Sequence, residues 1–243
     1  MPLTGQALIK RDLREVAPEK FKSMGAALQV NRPHVLFTDL EVTIDTGVGT
    51  PKRDTQFFHA TKPAVIDCLK AWGFNLLALS NNHAWDLGTP GILGTLNEVK
   101  KRGLGFAGTG ATLAAASAPG YLETSQGRVA LISFASGKIA EGAAATPDRA
   151  GVNEVRLREE TKELDAGDVA RVFDSIKAAR AAGATLVIAY QHDHYWEPDN
   201  RITPEWKRVF ARACIDAGAD VFVSHGAPML HGIELHRGRP IFY

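Results

Sequence analysis

Four apolar runs in this 243-residue chain end in side chains able to bind a metal or move a proton: Asp39 with Glu41, Asn82 with His83 and Asp86, His192 with His194, and His225. Imidazole nitrogens combined with carboxylate and amide oxygens suit a borderline divalent ion such as zinc, manganese or iron. Such an ion lowers the pKa of a water and polarises a substrate. Residues two apart in an extended chain share a face, so Asp39 and Glu41 point together, as do His192 and His194. Each group also has a plainer reading. Asn82 and Asp86 are good helix caps, His83 can pack on Trp85, and an Asp-Leu-Glu run can close a turn and face water. The chemical reading therefore depends on the groups meeting in space.

The runs at 34–38, 74–79, 185–190 and 220–223 read as strands, alternating with helices over 18–29, 62–72, 90–102, 168–182 and 204–217. Pro63 is a natural helix start, and Gly73, Gly103, Gly183 and Gly218 are natural stops. Up to about residue 107 this alternation predicts parallel βαβ units. The residues around Gln126-Gly127 and the tail 229–243 read as hairpins, so an α/β fold with a mixed sheet is expected. In register along one parallel sheet, the four clusters would converge on one crevice at the carboxyl ends of the strands. The long connection 43–60 carries Arg53 and His59, either as substrate contacts or as solvated loop residues. Residues 135–150 read as a Gly- and Ala-rich loop able to act as a lid.

Composition narrows the classes. Lys plus Arg (28) balance Asp plus Glu (27), so no global field marks a nucleic-acid binder. No apolar run approaches the roughly 18 residues of a membrane span. Cys68 and Cys214 lie within amphipathic helices and indicate neither a disulfide framework nor a thiolate metal site. Nucleophile elbow, phosphate-loop and dinucleotide motifs are missing. The chain is expected to form one domain over 1–243, shortened at both ends. It reads as soluble, with the compartment open between cytoplasm and export after loss of a targeting segment.

Asn81-Asn82-His83-Ala84-Trp85-Asp86-Leu87-Gly88, Asp216-Ala217-Gly218-Ala219-Asp220-Val221, and His225 leading to Gly232-Ile233-Glu234 and Gly238-Arg239-Pro240-Ile241-Phe242-Tyr243 together resemble the CapA-type capsule-synthesis (poly-gamma-glutamate) proteins. These belong to the calcineurin-like metallophosphoesterase superfamily. The resemblance implies a mixed-sheet αββα sandwich, with Asn82 as a metal-binding amide and His83 as an imidazole acid near the scissile bond. It also implies that Glu41, His192 or His194, and His225 line the site, with Asp86 orienting the His83 ring.

The chain departs from the family pattern at Gln6, where an aspartate usually follows Gly5, at Pro228, where a second histidine is usual, and at Asp39, which replaces an asparagine. These departures lead us to expect at most one tight divalent metal, held by Asn82, His192 or His194, and His225. Gln6, Arg53 and His231 are the candidate substrate contacts, His231 reaching the site only if its strand bends inward. The expected function is a metal-dependent hydrolase-like enzyme acting on poly-gamma-glutamate or another peptide-like, anionic polymer. The alternatives are a peptide epimerase, and a non-catalytic polymer-binding component that keeps a decayed site and uses Arg53 or Arg201.

Overall fold

The apolar runs divide between two main sheets in the computed structural model, which describes residues 1–53, 55–158, 160–196 and 198–243. Leu3–Gln6, Phe37–Asp39, Leu76–Ala78 and Gly105–Ala107 lie side by side in that order, all parallel. The second sheet runs Ile233–His236, Arg239–Phe242, Val221–His225, Leu186–Asp193, Gly127–Ser136, Gly120–Thr124. Its central pairings are parallel, and a hairpin closes each edge. The architecture is thus mixed α/β with seven α-helices among the described residues.

The period of two along each strand decides which layer a side chain joins. Leu77 faces the helices Ala64–Trp72 and Gly88–Lys101, packing with Ile66, Leu69, Ile92 and Val99. Its neighbours Leu76 and Ala78 turn the other way, where Phe37 meets Leu131, Ile188 and Tyr190 of the second sheet. Val187 and Ala189 face the helices Ala166–Ala181 and Glu205–Asp216, against Val172, Ile176, Phe210 and Cys214. Each buried Leu, Ile or Phe contributes about 1.5–3 kcal/mol from surface removed from water. Tyr190 and His192 therefore face the other sheet, whereas Asp193 faces the helices.

The local signals act as expected, with small shifts at the ends. Pro63 caps Ala64–Trp72, which stops at Gly73 in the left-handed region (φ 96°), where its N–H bonds back to Leu69 and Lys70. The next helix begins at Gly88, so Pro90 sits in its first turn, where a missing N–H costs little. Residues 43–60 are less open than a plain loop, since Thr43–Ile44 pairs in parallel with Ala60–Thr61. Both cysteines are buried and unbridged. No helix among the described residues is long and apolar enough to cross a membrane.

The expectation of one crevice along one parallel sheet needs correction. Asp39 ends one strand of the four-stranded sheet and Asn82 follows another, whereas His192 lies one residue from the end of its strand in the six-stranded sheet and His225 ends the next strand of that sheet. The clusters meet because both sheets present these ends on the same side. Periodicity identifies a strand but not the partner it will pair with.

Candidate metal centre

Asn81 joins the first two clusters. Its side-chain amide donates to Asp39 Oδ1 and to the Leu40 carbonyl, both at 2.9 Å, while its oxygen accepts the His83 N–H at 3.0 Å. All three groups are buried, so the amide has no competing water and fixes the turn after Leu76–Ala78 against the neighbouring strand end. Asn82 and His83 are held in place by this lock.

The second sheet brings its histidines in register, with His192 beside His225 on adjacent parallel strands. His192 is fully buried, with Nε2 close to three polar atoms and Nδ1 in a charge contact that is not a hydrogen bond. Nδ1 lies 3.0 Å from Asp39 Oδ2, a charge contact. Nε2 lies 2.8 Å from Asn82 Oδ1, 3.0 Å from His194 Nε2 and 3.7 Å from Glu41 Oε1. His194 Nε2 completes a triangle at 3.2 Å from Asn82 Oδ1. Two states of His192 satisfy this geometry. As imidazolium it donates to Asn82; as neutral imidazole its Nε2 lone pair joins those of Asn82 and His194 toward one cation. Ligands about 2.0–2.1 Å from a tetrahedral ion stand about 3.3 Å apart, close to the spacing seen.

The charge balance leaves room for a cation in place of protons. Asp86 has Arg53 and Asp193 has Lys207, but among the described residues the charge contacts of Asp39 and Glu41 are with imidazoles alone. Asp39 Oδ2 and Glu41 Oε2 are buried without a hydrogen bond. Burial pushes the Glu41 carboxyl up to about 7, with Asp39 and Asp86 adding to the rise and His192 opposing it. Burial alone would lower His192, yet Asp39 and Glu41 raise it. Burial brings His194 down to about 3 and lowers His225, leaving both neutral and able to donate lone pairs. Asp39, Glu41, His192 and His225 also place ligand atoms within 4.8 Å of one another. This set and the Asn82–His192–His194 triangle share His192. The cluster can hold a divalent ion.

Beside it, His83 Nδ1 lies 2.9 Å from Asp86 Oδ2, which also accepts the His59 N–H at 2.8 Å. Asp86 Oδ1 pairs with Arg53 Nε at 2.7 Å. Arg53 further donates to the carbonyls of Asn82 and Lys138, so it ties the 43–60 connection to both neighbouring loops. His83 Nε2 remains directed into the site, 4.0 Å from Glu41 Oε1. The His59 ring stacks on His83 at 3.9 Å, and burial followed by the His83 charge lowers it to about 4.

The other candidates named from the sequence separate from this core. Gln6 is exposed beside Asp39 in the strand register, with no side-chain hydrogen bond among the described residues. Arg53 is engaged with Asp86 and is not a free cation. His231 is held 2.6 Å from the Asn200 carbonyl, outside the triangle. Arg201 pairs with Asp199 on the surface. Sequence reasoning missed Asn81 as a lock, although the doubled Asn81-Asn82 was visible. It also missed Lys138, held 4.7 Å over the Trp196 ring beside His194, and the buried Lys207.

A family model described as bacterial capsule synthesis protein PGA_cap matches residues 1–243. An uncharacterized protein of Sinorhizobium fredii is 29% identical over 249 residues, covering 80% of this chain and 53% of the relative. The capsule biosynthesis protein CapA of Bacillus anthracis is 27% identical over 194 residues, covering 79% and 44%. The PGA biosynthesis protein CapA of Bacillus subtilis is 30% identical over 196 residues, covering 78% and 46%. The chain spans about half the length of these curated relatives.

Proposed function

The chain belongs to the bacterial capsule synthesis protein PGA_cap family, and from that premise we propose that it is a metal-dependent hydrolase-like enzyme acting on poly-gamma-glutamate or another peptide-like polymer. The carrying observation is the triangle of Asn82 Oδ1, His192 Nε2 and His194 Nε2, bordered by Glu41. We read residues 1–243 as one domain, a metallophosphoesterase-like αββα sandwich. The three apolar clusters, one on each helical face and one between the sheets, support that reading.

Asn82, His192 and His194, with Glu41 and His225 beside them, would hold a divalent ion, which would supply Lewis acidity and lower the pKa of a water. The protein's own groups supply the proton handling. Asp86 accepts from His83 Nδ1 and holds the ring so that, in the imidazolium form, its Nε2–H faces the leaving group as general acid and returns to neutral imidazole once that proton is given up. Arg53 neutralises Asp86 and holds it in place. Glu41 Oε1, 4.0 Å from His83 Nε2, is placed to accept a proton beside that ring. His59 packs on the His83 ring and limits its rotation.

The epimerase reading needs two bases on opposite sides of a substrate carbon. Of the pair it would use, His194 with Asp39 or Glu41, His194 is instead turned toward Asn82 and His192, so hydrolysis has more support. Incubation with a gamma-linked glutamyl oligomer under Mn, Zn or Fe should give cleavage that disappears on chelation and in His83→Ala. Cleavage indifferent to both would refute the proposal.

A further inference from the structure

Lys207 and Asp193 form an ion pair at 2.5 Å with both side chains essentially removed from water. Neither residue favours this on local grounds. Lys207 lies in the first turn of Glu205–Asp216, where the helix dipole repels a cation, and desolvating both charges is costly, so an apolar pair of similar volume is often at least as stable. The pair sits directly behind the site, because strand alternation turns Asp193 away from its neighbours His192 and His194.

Asp193 is also a junction. Its Oδ1 accepts the Tyr195 N–H at 3.1 Å, and its carbonyl accepts the Trp196 indole N–H at 3.2 Å, which shapes the turn carrying His194. Gly226, following His225, has φ 120° and packs so closely on the Asp193 carbonyl that a Cβ there would overlap it. One anchored residue thus sets three histidines relative to one another.

We propose that the Lys207–Asp193 pair is the positioning device of the metal site, fixing the spacing of His192, His194 and His225; this rests on the metal-binding reading above. Outer groups that orient metal ligands typically change metal affinity about 10–100-fold when removed. The test is Zn(II) titration calorimetry with thermal melts on the full chain. The double variant Lys207→Met with Asp193→Leu should melt close to wild type yet bind Zn(II) about 10–100-fold more weakly. Asp193→Asn, which keeps the shape and loses the charge, should weaken binding in the same direction, and it decides the matter if the double variant does not fold. Zn(II) affinity equal to wild type in a folded variant overturns the proposal alone. A wild-type chain that binds no Zn(II) overturns the metal reading and the proposal together.

Discussion

His192 Nε2 lies 2.8 Å from Asn82 Oδ1, joining segments 110 positions apart that belong to different sheets. The contact makes metal loading compete with protons. Asp39 and Glu41 raise His192 against the pull of burial, and burial raises Glu41 to about 7, so both groups hold protons on the acid side of neutrality. A bound cation must displace those protons. Metal affinity should therefore rise with pH through about 7, by about tenfold per pH unit for each proton released. Calorimetry in two buffers of different ionisation enthalpy measures the release directly; affinity that is flat between pH 6 and 8 would contradict it.

Asp86→Asn tests the proton path. The amide keeps the shape and one oxygen acceptor but loses the charge and cannot accept from Arg53 and His83 at the same time. Turnover should fall about 10²–10⁴-fold, the usual contribution of a positioned acid or base, while metal content measured by emission spectroscopy stays at the wild-type value. Loss of metal in parallel with activity would assign Asp86 a different role.

Strand and helix order was legible from periodicity and from Pro and Gly punctuation, and the ligand-type residues were visible because they ended apolar runs. Partnership was not legible. Nothing local shows that Phe37 pairs with Leu76 while Ile188 pairs with Val221, and those registers decide which clusters meet. Arg53 in a polar connection reads as a free cation until tertiary structure places Asp86 against it. Lys207 reads as one charge on an amphipathic helix, and only the fold reveals that it is buried. His231 could be judged only once Asn200 was located beside it.

A second pH effect belongs to stability and lies away from the centre. Burial pushes the Asp168 carboxyl up, but Arg156 and Arg171, at 2.8 Å each, hold it below its ordinary value. A depressed carboxyl stabilises the fold above its unfolded pKa of about 3.9 and loses that contribution as pH falls through its folded value. Asp168→Asn should cost about 1–3 kcal/mol at pH 7. Denaturant melts should show the gap from wild type narrowing below about pH 4; a gap constant down to pH 2 would exclude the account.

Gly226→Ala joins backbone strain to the site. Its φ of 120° is disfavoured for alanine, and the added methyl would press on the Asp193 carbonyl. Strain of this kind costs about 1–3 kcal/mol. A lower melting temperature together with weaker Zn(II) binding is expected; unchanged melting would show that the turn after His225 relaxes freely.

The central claim is that Asn82, His192 and His194 hold one divalent ion. Anomalous diffraction from crystals soaked in Mn(II), recorded at the manganese edge, tests it most directly. We predict one strong peak within about 2.0–2.3 Å of Asn82 Oδ1, His192 Nε2 and His194 Nε2. No peak at that triangle, or a peak bound only by Gln6 or His231, would contradict the account.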